Sequence, residues 1–166
     1  NPGKDKENDG DGFTLDLYKE GVGNFSWDDY RYVQIKFYRI NCDNSRMQFY
    51  AFKRTTDADG NVKQAVTAER GFAVSDIDER WTILTLDLWE LNSGKDSIMF
   101  TDVATGKTTT AKYTSIGSEF EYDFDMLRIN FGRGLFLPNK EVTVEYIGFF
   151  ADKNDASLVN KHNAYN

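Results

Sequence analysis

From Phe13 onward, apolar and polar residues alternate with a period of two, in runs of roughly five to ten residues broken by Gly, Asn, Asp and Ser. In the clearest run, Tyr30 to Ile40, Val33, Ile35 and Phe37 share one face of a strand while Tyr32, Gln34, Lys36 and Tyr38 share the other. Met47 to Lys53 continues after a polar break, and Asp59-Gly60 tolerates the positive φ of a tight turn, which predicts a hairpin into Val62 to Ala68. In Trp81 to Trp89, Leu84, Leu86 and Leu88 point to a core and Trp81, Ile83, Thr85, Asp87 and Trp89 point away from it. Ser97 to Val103 and Lys107 to Tyr113 flank Ala104-Thr105-Gly106 as a second, threonine-rich hairpin, expected at a sheet edge. Met126 to Phe131 follows, with Leu127, Ile129 and Phe131 inward and Arg128 and Asn130 outward, and Glu141 to Phe150 closes the series.

Only the segment Asn154 to His162 has a helical start, with Asn154 or Asp155 as cap. Strands with no helices between them, and no repeat at fixed spacing, predict an all-β fold: an antiparallel two-sheet β-sandwich of the jelly-roll kind with a short C-terminal helix. Residues 1–12, with four acids against two lysines, cannot help to bury a core and are expected to be a linker; 13–166 are expected to form one sandwich module.

The net charge of −7 disfavours attraction to nucleic acid or anionic lipid. No apolar run approaches the roughly 18 residues of a membrane span, so no membrane insertion is expected. A single cysteine, Cys42, excludes an intrachain disulfide, and with one histidine, His162, zinc sites built on Cys and His and Ser-His or Cys-His catalysis lack their parts. Cys42 reads as an inert thiol in a polar break and His162 as a solvated tail residue. The glycines at 21–23 and 132–134 lack the strand-to-helix context of phosphate binding and read as turn or bulge residues.

Two acidic patterns bear on chemistry. Glu119, Glu121, Asp123 and Asp125 would repel one another on a single strand face, and Glu121-x-Asp123-x-Asp125 resembles the carboxylate strand of one class of jelly-roll glycosidases, with a shorter side chain in the last place. An acidic loop between strands is the preferred reading, and no catalytic residue is assigned. Asp57-x-Asp59-Gly60-Asn61 is oxygen-rich, but it lacks the downstream acid of a calcium loop and sits where a turn is expected. No cofactor is expected, with a structural calcium elsewhere left open on fold analogy.

The 13 Phe suit a core, whereas the 9 Tyr and 3 Trp carry a polar handle suited to wet binding surfaces. Period two places Tyr32, Gln34, Lys36 and Tyr38 on an outer sheet face with Trp81, Asp87 and Trp89, and Arg128 and Asn130 are expected to join them from a third strand. These are the candidate ligand-binding residues. The alternative is that loops or the tail cover the rings. Arg128 is further expected to pair with Glu145 across the same sheet.

The closing segment VTVEYIGFFADKNDA, Val142 to Ala156, resembles a recurring ending, V-x-(I/V)-(D/E)-Y-I-(A/G)-F-F, of jelly-roll modules in secreted and cell-surface proteins of Gram-positive anaerobes. The Tyr30 and Trp81 strands share the likeness. Such modules are similar to carbohydrate-binding modules. The resemblance implies a non-catalytic module of a larger exported protein, extracellular or on the cell surface, with a polysaccharide or glycan and neighbouring domains as partners. It carries over no individual sugar-contacting residue. The alternative functions are a structural or adhesive spacer domain and, more remotely, a small glycoside hydrolase.

Overall fold

A computed structural model of the chain describes residues 14–18, 29–40, 46–73, 77–92, 97–116, 124–132 and 141–151. Ten strands occur among them: β1 (Thr14–Tyr18), β2 (Tyr32–Ile40), β3 (Arg46–Thr56), β4 (Val62–Ala73), β5 (Thr82–Asp87), β6 (Ile98–Asp102), β7 (Thr108–Thr110), β8 (Tyr113–Ile116), β9 (Met126–Asn130) and β10 (Glu141–Phe150). They form two five-stranded sheets, ordered β1-β9-β3-β4-β8 and β10-β2-β5-β6-β7. Every pairing is antiparallel. The chain is the two-sheet sandwich its alternation predicts. No helix among the described residues is long and apolar enough to cross a membrane. The expected N-terminal linker and C-terminal helix lie outside the described residues, as do Cys42, His162, Glu119, Glu121 and Asp123.

The core lies between the sheets, where the odd positions of β2 (Val33, Ile35, Phe37) and Leu84 and Leu86 of β5 meet Met47, Phe49, Phe72, Leu127 and Ile129. All are fully buried, and each such side chain is worth about 1.5–3 kcal/mol when removed from water. Rings bridge the gap: Phe37 and Phe131 meet edge-on with centroids 4.9 Å apart, and Phe72 and Phe100 lie tilted at 5.8 Å.

Both hairpin turns follow from their residues. Gly60 (φ 84°) and Gly106 (φ 69°) take the left-handed conformation that glycine accepts without strain. The carboxylate of Asp57 accepts the N–H groups of Asp59 (3.1 Å) and Asn61 (2.9 Å), so the oxygen-rich look of this stretch is that of a self-capped turn. Threonine-rich β7 is an edge strand, as expected. The expected single strand Lys107 to Tyr113 is instead two, because the chain changes sheets within it: Ala111 N–H donates to Ile98 of the second sheet (2.9 Å) and Lys112 O accepts from Ala73 of the first (2.9 Å). The run Trp81 to Trp89 is also shorter than expected, since Asp87 accepts the N–H of Trp89 (3.2 Å) and turns the chain into a 3₁₀ segment at Leu88–Glu90.

Two arginines occupy inward positions. Arg39 continues the inward row of β2 and is completely buried; its guanidinium meets the carboxylate of Asp78 and the carbonyl of Phe131, which belongs to the first sheet. Arg70 of β4 is equally buried and donates to Leu91 O (3.2 Å) and Asn92 Oδ1 (2.9 Å), beyond the end of β5. Each therefore ties one sheet to the other with directional bonds.

Breaking a buried charge pair from one side leaves the other charge to be borne by the interior, so Asp78→Ala is expected to lower stability by about 3 kcal/mol. Adding Arg39→Met should restore most of the loss, as read from urea unfolding. A pH effect follows from the turns: Asn61 N–H holds Asp57, and Thr105 N–H holds Asp102, below the ordinary value of 3.8. Carboxylates lowered on folding stabilise the fold above their unfolded pKa, and that contribution is lost as pH falls through the folded value. Stability should therefore drop below about pH 4, and an Asp57→Asn, Asp102→Asn variant should show a shallower drop on acid titration followed by circular dichroism.

Candidate functional site

The outer face of the second sheet is built by the even positions of β2. Pairing aligns Tyr32 with Asp87, Gln34 with Thr85 and Lys36 with Ile83 on β5, and Lys36 with Tyr146, Gln34 with Gly148 and Tyr32 with Phe150 on β10. The sheet thus brings together seven of the nine expected residues: Tyr32, Gln34, Lys36, Tyr38, Trp81, Asp87 and Trp89.

Trp89 and Trp81 stand at the two ends of β5, 54% and 37% exposed. Each is held by an ion pair. At one end Arg31 grips Asp87 with two parallel bonds, Nε to Oδ1 at 2.9 Å and Nη2 to Oδ2 at 2.8 Å, and its guanidinium lies 5.1 Å from the Tyr32 ring centre and 5.2 Å from that of Trp89. Donating these bonds to Asp87 raises Arg31 above the ordinary arginine range. At the other end the Lys36 ammonium sits 3.0 and 2.9 Å from the two carboxylate oxygens of Glu145 and 5.6 Å from the Trp81 ring, which also packs on Tyr38 at 5.6 Å.

Between these stacks a polar row crosses three strands. Tyr146 Oη donates to Gln34 Oε1 (3.3 Å), and Gln34 Nε2 donates to Thr85 Oγ1 (3.1 Å). Beside the row, the Phe150 ring lies over Gly148, where a Cβ would stand 2.6 Å from it.

This geometry corrects the expected site in two respects. Tyr32, Gln34, Lys36 and Asp87 are at most 7% exposed. They support the exposed rings and are not themselves presented to solvent. Arg128 and Asn130 lie on β9, in the opposite sheet, and do not belong to this face. Arg128 holds Asp16 of β1 through two bonds (2.7 and 2.8 Å), and Asn130 Oδ1 accepts Gly132 N–H (3.1 Å). The expected pair of Arg128 with Glu145 is therefore excluded, and Glu145 turns to Lys36.

Three contributors escaped the sequence reading. Arg31 precedes the first paired residue of β2, where alternation no longer assigns a face. Glu145 and Tyr146 both reach outer-face partners because the register shifts between Val144 and Tyr146, a bulge that places one extra residue in β10. The Glu145-Tyr146 pair inside an otherwise alternating strand was the available signal.

Of the acidic series, Asp125 precedes β9 and its Oδ2 accepts Arg54 N–H (2.6 Å), a strand-end contact with β3. Among the described residues no three His, Cys, Asp or Glu side chains are grouped so as to hold a metal ion. Comparison with protein-family models, curated proteins and solved structures gives no match to this chain.

The two stacks should differ in strength. A double-mutant cycle on Arg31 and Asp87 (each to Ala) is expected to give a coupling above about 1 kcal/mol, because the bonds are paired and Asp87 is buried. The same cycle on Lys36 and Glu145 should give less than about 1 kcal/mol, the Glu145 side chain being 44% exposed. Urea unfolding of the two sets checks the order.

Proposed function

We propose that this chain is a non-catalytic carbohydrate-binding module that carries a polysaccharide or glycan along the outer face of the second sheet, from Trp89 to Trp81. One observation carries the reading: two exposed indoles stand at the two ends of one strand, each fixed by a cation that is itself fixed by a carboxylate. A sugar ring offers an apolar C–H face to an aromatic ring and hydroxyls to polar groups around it. Rings held by strand neighbours lose little freedom on binding, so more of the contact energy appears as affinity. Arg31, Glu90 and Glu145, and Tyr146 between the two stacks, are the polar partners on this reading, in place of the buried Gln34 and Asp87. The resemblance of the closing strand to modules of exported proteins favours an extracellular or cell-surface setting beside other domains.

A second reading, a structural or adhesive spacer, is favoured by the same face in one respect. The buried polar row satisfies itself, and indoles over a satisfied polar layer equally suit a neighbouring domain.

Affinity electrophoresis on immobilised polysaccharides separates the two. Trp89→Ala and Trp81→Ala are each expected to weaken retention at least tenfold, about 1.4 kcal/mol, with little change in melting temperature. Arg128→Ala, on the other sheet, should leave retention unchanged. A parent protein retained by no glycan on a broad array gives the spacer reading.

A further inference from the structure

At the end of β5 near Trp81, on the opposite side of that strand, residues of both sheets and the crossing between them surround an open space. The crossing at Ala111 and Lys112 leaves a cleft of about 560 Å³ there, a size typical of small-ligand sites. Its floor is apolar, made by Phe100 and Ile77 of the core. Its rim is cationic: Arg80, Lys107 and Lys112 line it. The one carboxylate in the lining, Asp102, is already engaged, accepting Thr105 N–H at 2.9 Å and lying 3.3 Å from Arg80. The ammonium groups of Lys107 and Lys112 have no ion-pair partner among the described residues. In a chain of net charge −7, this is a local reversal of sign, and it draws anions to the cleft.

The walls add hydroxyls. Thr109 and Thr110 line the cleft, are exposed, and make no side-chain hydrogen bond among the described residues. A ligand that satisfies every part of this lining has an anionic group for the lysines, hydroxyls for the threonines, and an apolar face toward the floor. Simple carboxylates lack the last two, and neutral sugars lack the first. We propose that the cleft is a binding site for one carboxylated sugar residue, a hexuronate, with its carboxylate between Lys107 and Lys112 and its hydroxyls toward Thr109 and Thr110. The site is separate from the outer face and does not rest on that face's function: Phe100 and Thr82 face between the sheets, whereas Trp81 and Lys36 face away.

The test is an amide-resonance titration of the intact chain with galacturonate, with glucose and acetate as matched probes. Galacturonate should give saturable shifts at Thr105, Lys107, Thr109, Thr110 and Ala111, with glucose and acetate each weaker by roughly tenfold or more. Replacing both lysines (Lys107→Glu, Lys112→Glu) should weaken galacturonate about tenfold or more without altering the fold, both side chains being exposed, while Trp89→Ala should leave it unchanged. Should the double charge reversal disturb the spectrum, Lys107→Gln and the salt dependence serve instead, since affinity for a charged ligand must fall as ionic strength rises. Equal binding of glucose or acetate, no saturation with galacturonate, insensitivity to the lysines, or a flat salt dependence would each overturn the proposal.

Discussion

The rings that reach across the gap between the sheets, Phe37 against Phe131 and Phe72 against Phe100, set the constraint on which everything outside depends. Once Val33, Ile35 and Phe37 must face those partners, strand geometry leaves Tyr32, Gln34, Lys36 and Tyr38 no choice but the opposite face. A one-residue slip would expose the apolar row and bury the polar one. The outer face is thus a by-product of core packing, held as firmly as the core itself. The buried arginines add direction to this: a guanidinium shut inside accepts only an arrangement that supplies its acceptors, so Arg39 and Arg70 restrict how one sheet can sit on the other.

The same parity explains what could be read from the residues and what could not. Inside and outside were legible for β2 and β5 because alternation reports which side of a sheet a residue takes. It does not report which sheet the strand joins, and Arg128 and Asn130, correctly judged to alternate with Leu127 and Ile129, were assigned to the wrong face for that reason. Burial of Gln34 and Lys36 was hidden too, because it depends on neighbours more than a hundred positions away, brought into reach by the bulge at Glu145. The inward arginines were missed because a charge at an apolar position reads as the end of a strand, when its partners are carbonyls and a carboxylate supplied by other segments.

Charge is used in two distinct ways on this molecule. On the outer face each cation is consumed locally: Arg31 by Asp87, Lys36 by Glu145. Those pairs orient rings and leave little net field. At the open side between the sheets, Lys107 and Lys112 are not neutralised in this way, and the field they make is available to a ligand. One end of the same strand thus carries a face whose charges are paired and a recess whose lysines are not.

Strand order has a consequence for how the chain comes to be folded in a cell. β1 pairs with β9 and β2 with β10, so in each sheet an early strand waits for one of the last to be made. The inter-sheet contact of Arg39 likewise waits for Phe131. Pairings this distant in sequence make folding slow, on the order of milliseconds to seconds. Before β9 is made, β3–β4–β8 and β2–β5–β6–β7 can already pair, so what waits is the placing of β1 and of the edge beside β2. β9 and β10 are thus the closing strands: β9 joins β1 to the rest of the first sheet, and β10 completes the edge of the second.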